Sequence, residues 1–127
     1  MVRQKFDVDG YWEVIVYYNV DYDFFGVIEK ELKKISFTRR QIERIKKNMR
    51  KDAKAVTCSS GIYLTSIVLF NKHSSREDYI SSLVHEAEHI KQAMLHVYMV
   101  DDSGEPPAYT IGYLVMCMWE VFEKIAY

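Results

Sequence analysis

Residues 62–71 read IYLTSIVLFN and residues 75–98 read SREDYISSLVHEAEHIKQAMLHVY, and these two neighbouring segments form the centre of the predicted fold. The first is apolar on both faces, which is typical of a strand that is covered on both sides. The second carries apolar residues at helical spacing, which predicts one core-facing stripe: Ile80, Leu83, Ala87, Ile90, Met94 and Val97. Ser74 and Glu77 match a capping box, so we expect this helix to begin near residue 75.

The flanking segments extend this centre into an α+β domain. Residues 11–20 alternate apolar and polar side chains, which predicts a strand, and residues 53–58 are expected to form a hairpin with 62–71 through Ser59–Gly61. Helices are predicted over 22–35, over 38–54 after a Thr38–Gln41 capping box, and from Pro106-Pro107 to the C-terminus. The order β-α-α-β-β-α-α predicts one domain, residues 1–127, with a small antiparallel sheet packed on helices.

Composition excludes several classes of protein. The 127 residues are 49% hydrophobic and 28% charged with a formal net charge of -1, which excludes extended disorder and two ordinary domains. No apolar run reaches the ~18 residues of a membrane span, and no signal-peptide pattern opens the chain. We therefore expect a cytoplasmic protein without a membrane partner, in which Cys58 and Cys117 are reduced thiols.

Charge is distributed unevenly along the chain. Residues 29–54 contain eleven Lys or Arg against four Asp or Glu, whereas the last 27 residues hold five acidic side chains and one Lys. The simplest interpretation is a solvated face. Nucleic-acid binding through the helix 38–54 is a lower-ranked hypothesis, because no major-groove motif or aromatic stacking platform accompanies the charges.

Residues 85–89, His-Glu-Ala-Glu-His, form an HExxH motif inside the long predicted helix. Side chains four residues apart project from the same side of an α-helix, so His85 and His89 can hold one metal ion. Glu86 is offset around the helix and can act on a water as general base. Both histidines fall outside the apolar stripe, which argues against a simple core role.

Two histidines do not complete a zinc site, because a third protein ligand is normally needed. His96 shares the face of His85 but lies ~16 Å further along the helix axis, and His73 precedes the helix at a distance. A carboxylate of the final helix is the better candidate. These carboxylates are Glu105, Glu120 and Glu123.

The stretch from Leu83 to Tyr113 resembles small zincin-like proteins of phages and mobile elements. In these proteins an HExxH helix is followed by a Glu-x-x-Ala-Tyr segment, here Glu105 to Tyr109, and the pattern is similar, more loosely, to gluzincin metallopeptidases. The resemblance implies Zn²⁺ held by His85, His89 and Glu105. It further implies Glu86 as the catalytic base and Tyr109 as the residue that steadies the oxyanion. Straight antiparallel packing of the last two helices would favour Glu120 over Glu105 as the third ligand.

Three functions follow from these observations as hypotheses. The first is a zinc-dependent metallopeptidase that acts on a peptide or protein substrate, aligned by edge pairing with the strand 62–71. The second is a metal-stabilised binding or assembly module of a phage or mobile element without turnover. The third is the nucleic-acid-binding protein described above.

Overall fold

The computed structural model describes all 127 residues and shows a four-stranded sheet with helices on both faces. The strands are β1 (Val2–Val8), β2 (Trp12–Tyr18), β3 (Ala55–Ser60) and β4 (Thr65–Phe70). The helices are α1 (Phe25–Lys34), α2 (Arg39–Lys51), α3 (Arg76–Tyr98) and α4 (Glu105–Phe122), with a short 3₁₀ turn (Tyr22–Phe24) before α1. None of these helices combines the length and the apolar character that a bilayer crossing requires.

The sheet is mixed, so the α+β class is confirmed but the predicted antiparallel sheet is wrong. The strand order is β1-β2-β4-β3, in which β1 pairs antiparallel to β2, β3 pairs antiparallel to β4, and β2 runs parallel to β4. The chain leaves β2, crosses through α1 and α2, forms β3 and returns as β4 in the direction of β2. Parallel neighbours need such a long crossover, and they are buried on both faces.

Strand β1 is a further element that the sequence interpretation missed. Its side chains are mostly exposed, and β1 is an edge strand with only β2 as a neighbour. The Asp9-Gly10 pair that joins β1 to β2 adopts positive φ at both residues, 53° and 73°. An Asp-Gly pair before an alternating strand is a strong hairpin signal, so β1 could have been predicted from it.

Alternating residues of the central strands build two separate cores. Val14 and Val16 of β2 pack with residues of α3 and α4 on one face, whereas Ile15 packs with residues of α1 and α2 on the other. On the first face, α4 lies over β1: Gln4 Nε2 donates to the carbonyl oxygen of Cys117 at 2.8 Å. Helix α3 packs instead along β3. Cys58 is buried in the core beneath α1 and α2, whereas Cys117 is a half-buried residue of α4, and both are free thiols.

The helix starts follow the predicted capping chemistry with one shift. The Thr38–Gln41 capping box of α2 is confirmed in both of its hydrogen bonds. The predicted Ser74 cap of α3 is wrong by one residue, because Ser75 is the N-cap and its Oγ accepts from the backbone N–H of Asp78 at 3.1 Å. Both serines have an acidic residue three positions later, so the motif alone does not determine which of the two is the N-cap.

Candidate metal centre

His85 and His89 lie one turn apart on the exposed flank of α3, and their Nε2 atoms are 3.1 Å apart. The two rings are nearly perpendicular, with centroids 4.7 Å apart. Two nitrogen ligands of a tetrahedral zinc ion, each 2.0–2.1 Å from the metal, are separated by about 3.3 Å. The separation of the two nitrogens is therefore close to that of two adjacent zinc ligands, and it is also the distance of a hydrogen bond between the two rings.

Glu86 is buried beside this exposed pair and is only 5% exposed. Its Oε1 accepts a hydrogen bond from Thr57 Oγ1 of β3 at 2.9 Å, and its Oε2 lies 4.0 Å from His85 Nε2. One carboxylate oxygen is thus held by the sheet, and the other faces the imidazoles at more than direct hydrogen-bonding distance. A water molecule between the two groups could contact both the carboxylate and the imidazole.

A groove of about 620 Å³ runs between α3 and β3 past these side chains. On the strand side it is lined by Ala55, Val56, Thr57 and Ser59, and on the helix side by His85, Glu86, His89, Gln92, Ala93 and His96. Since β3 is the last strand of the sheet, its outer backbone edge has no strand partner. The groove therefore places the imidazole pair beside a free strand edge.

The acidic residues of α4 are not brought to the histidine pair. Glu105 is exposed in the first turn of α4 and Glu120 is exposed near its C-terminal end, while Glu123 accepts from Trp119 Nε1. Helix α4 lies over β1, and three strand spacings of about 4.8 Å separate β1 from β3. Among all 127 residues, no three His, Cys, Asp or Glu side chains are arranged to hold a metal ion.

Tyr109, which the resemblance assigns to the oxyanion, also lies on α4, in its second turn. Its side chain is 70% exposed and does not line the groove between α3 and β3. The roles of Glu105 and Tyr109 therefore stay predictions.

The other two histidines have different environments. His73 is buried and stacks on Tyr79, with Nδ1 2.7 Å from the carbonyl oxygen of Asn71 and Nε2 2.8 Å from Ser82 Oγ. Burial holds the pKa of His73 below its usual value. Both nitrogens already have partners, so His73 is structural. His96 lines the groove, two helical turns beyond His89.

Two features of the site were not found from the sequence. The strand 62–71, expected to pair with a peptide, corresponds to β4 and lies between β2 and β3, so the free edge belongs to β3. A hairpin pattern predicts that two strands pair but does not say which of them ends the sheet. Thr57 was also missed, because its contact with Glu86 joins residues 29 positions apart.

No protein-family model, curated protein or solved structure matches this chain.

Proposed function

We propose that this protein is a zinc-dependent metallopeptidase-like hydrolase in which Glu86 acts as general base. The observation that carries the proposal is the convergence of two imidazole nitrogens, 3.1 Å apart, with a carboxylate oxygen 4.0 Å from one of them. His85 and His89 supply the neutral imidazole nitrogens that zinc prefers. When bound, zinc supplies Lewis-acid activation of water and of the scissile carbonyl.

The protein's own contribution is to fix the base and to keep one of its oxygens free. Thr57 donates to Oε1 of Glu86, which leaves Oε2 to accept the proton of the attacking water. Because the carboxylate is buried between α3 and β3, it has little freedom to turn away from the imidazole pair. In the proposed reaction the same carboxyl group returns the proton to the leaving amine.

The free edge of β3 favours an extended peptide as substrate. A peptide that pairs with β3 would gain backbone hydrogen bonds and run through the groove past His85 and His89. The half-buried, small or polar side chains of Ala55, Thr57 and Ser59 offer no deep apolar pocket on the strand side. The proposed substrate is therefore an unfolded segment recognised mainly through its backbone.

Glu105 and, as the alternative, Glu120 remain our candidates for the third ligand, on the resemblance to zincin-like proteins. Their distance from the pair favours a second candidate function, a metal-binding module without turnover, because two ligands in an open groove can hold an ion without completing a catalytic site. The two functions differ in their dependence on Glu86.

The discriminating experiment compares the wild-type chain with Glu86→Gln on a mixed-sequence peptide library, with zinc added and cleavage followed by mass spectrometry. We expect both proteins to bind zinc and the variant to cleave about 10²–10⁴ times more slowly. Zinc binding by both proteins without cleavage by the wild type would overturn the hydrolase and leave the binding module. Cleavage that is equal in both would exclude Glu86 as the base.

A further inference from the structure

We propose that α2 binds the phosphate backbone of nucleic acid through a row of four cations, Arg40, Arg44, Lys47 and Lys51, named here the α2 stripe. At about 100° per residue these four positions fall within a ~60° arc of the helix, and they span ~16 Å along its axis. All four side chains are exposed. The row thus presents about one positive charge per helical turn in a straight line.

The packing of α2 fixes the direction in which the α2 stripe points. Ile42 and Met49 are buried in the core beneath α1 and α2, and Ile45 packs against that core. On the helical wheel these three residues lie opposite the α2 stripe. The cations therefore face solvent on the side of the sheet opposite to the groove between α3 and β3.

The four cations of the α2 stripe have no carboxylate within 4.0 Å, and the other three basic residues of α2 each have a partner within the protein. Arg39 is paired with Glu43 at 3.2 Å, whereas Lys46 lies 5.3 Å from the ring centre of Phe25. Arg50 packs over Tyr22 in the same way. Within α2, the α2 stripe is thus the set of cations that is free to bind an external anion.

A nucleic acid fits this surface better than a membrane does. Helices that lie in a membrane interface expose an apolar face, but the apolar face of α2 is buried in the core. A line of evenly spaced cations suits a chain of phosphates, whose counterions it would release. Since the whole chain has a formal net charge of -1, the attraction has to come from the local row.

The test is a fluorescence-anisotropy titration of a mixed-sequence DNA duplex of about 25 base pairs at 50 and 200 mM NaCl, with EDTA present. Four phosphate contacts predict that wild-type affinity falls about 150-fold between the two salt concentrations. Arg44→Ala combined with Lys47→Ala removes two contacts and reduces that fall to about 12-fold. The matched control, Lys72→Ala with Lys124→Ala, removes two exposed lysines outside the α2 stripe and should behave as the wild type.

Equal affinity and equal salt dependence in the wild type and the α2-stripe variant would overturn the proposal. The absence of duplex binding at 50 mM NaCl would overturn it as well. In a parallel assay with vesicles that contain phosphatidylserine, binding to the vesicles without binding to the duplex would show that the surface prefers a membrane and would also overturn it. Circular dichroism of the variants checks that exposed substitutions leave the fold intact. Because EDTA is present, the outcome does not depend on the proposed zinc site.

Discussion

Glu86 combines burial with a free oxygen, and this combination sets it apart from the other acidic residues of α3. Glu88 is bound to Lys91 at 2.9 Å, and Asp78 is bound to Lys54 at 2.6 Å. Glu86 has no cationic side chain of Lys or Arg beside it and is held by the hydroxyl of Thr57 instead. A neutral donor orients the carboxylate without forming an ion pair, which leaves it available as a base.

Thr57→Val tests the hydrogen bond that orients Glu86. The substitution keeps the shape of the side chain but leaves Oε1 of a buried carboxylate without its donor. We expect a loss of about 1–3 kcal/mol in the free energy of unfolding, measured by urea denaturation. Thr57→Ser retains the hydroxyl and should recover most of that loss. Equal destabilisation by both variants would show that packing of the methyl group, and not the hydrogen bond, matters here.

We expect the stability of the protein to depend on pH through His73. Burial lowers the pKa of His73 in the folded state, so at acid pH the unfolded chain binds a proton at this residue more strongly than the folded chain does. The neutral ring makes its full contribution to stability at pH values above the pKa of His73 in the unfolded chain, about 6.5. That contribution is lost as the pH falls below this pKa. Protonation of Nε2 would also remove its ability to accept from Ser82.

We therefore expect the urea midpoint of the wild type to fall between pH 7.5 and pH 5.5, and His73→Gln to reduce that fall. His96→Gln, which changes an exposed histidine, is the control and should keep the wild-type pH dependence. An unchanged pH dependence in His73→Gln would contradict the assignment of this effect to His73.

At the scale of single elements, helix α3 was predicted closely because its signals are local. Its apolar stripe, its capping serine and the spacing of its histidines all lie within one segment, and four stripe residues, Leu83, Ala87, Ile90 and Met94, are buried as predicted. The one-residue error at its start arose because Ser74 and Ser75 offer equivalent motifs. Only the observed hydrogen bond to the N–H of Asp78 selects Ser75.

Ser75→Ala should therefore destabilise the protein by about 1 kcal/mol, since it removes an N-cap hydrogen bond of the helix that carries the site. Ser74→Ala removes no N-cap hydrogen bond and should have a much smaller effect. Thermal or urea denaturation of the two variants measures the difference. A larger loss of stability in Ser74→Ala than in Ser75→Ala would show that Ser74, as predicted from the sequence, is the N-cap of α3.

At the scale of the whole molecule, the sequence predicted the α+β class but not the arrangement of the sheet. The pairing of β2 with β4 joins residues some 50 positions apart, for example Ile15 with Ile67, and no local pattern encodes it. This pairing places β4 inside the sheet and leaves β3 at its edge. The position of the groove, and of Thr57 within it, follows from that long-range pairing.

The third ligand is also a question of whole-molecule geometry, because Glu105 and Glu120 lie on a different helix from the histidine pair. If one of these two residues is the third ligand, we expect its substitution by Gln to weaken zinc binding at least tenfold. Substitution of the other residue should leave zinc affinity unchanged. Isothermal titration of Glu105→Gln and Glu120→Gln with zinc measures both. Full affinity in both variants would exclude an α4 carboxylate as the third ligand.

The central claim is that His85 and His89 hold one zinc ion together, and zinc content of the purified protein, measured by inductively coupled plasma mass spectrometry, tests it most directly. His96→Ala is the matched control, because His96 lines the same groove two helical turns beyond His89. We predict one zinc ion per chain in the wild type and in His96→Ala, and a loss of zinc in His85→Ala and in His89→Ala. Equal zinc content in the wild type and His85→Ala, whether near zero or near one, would contradict the account.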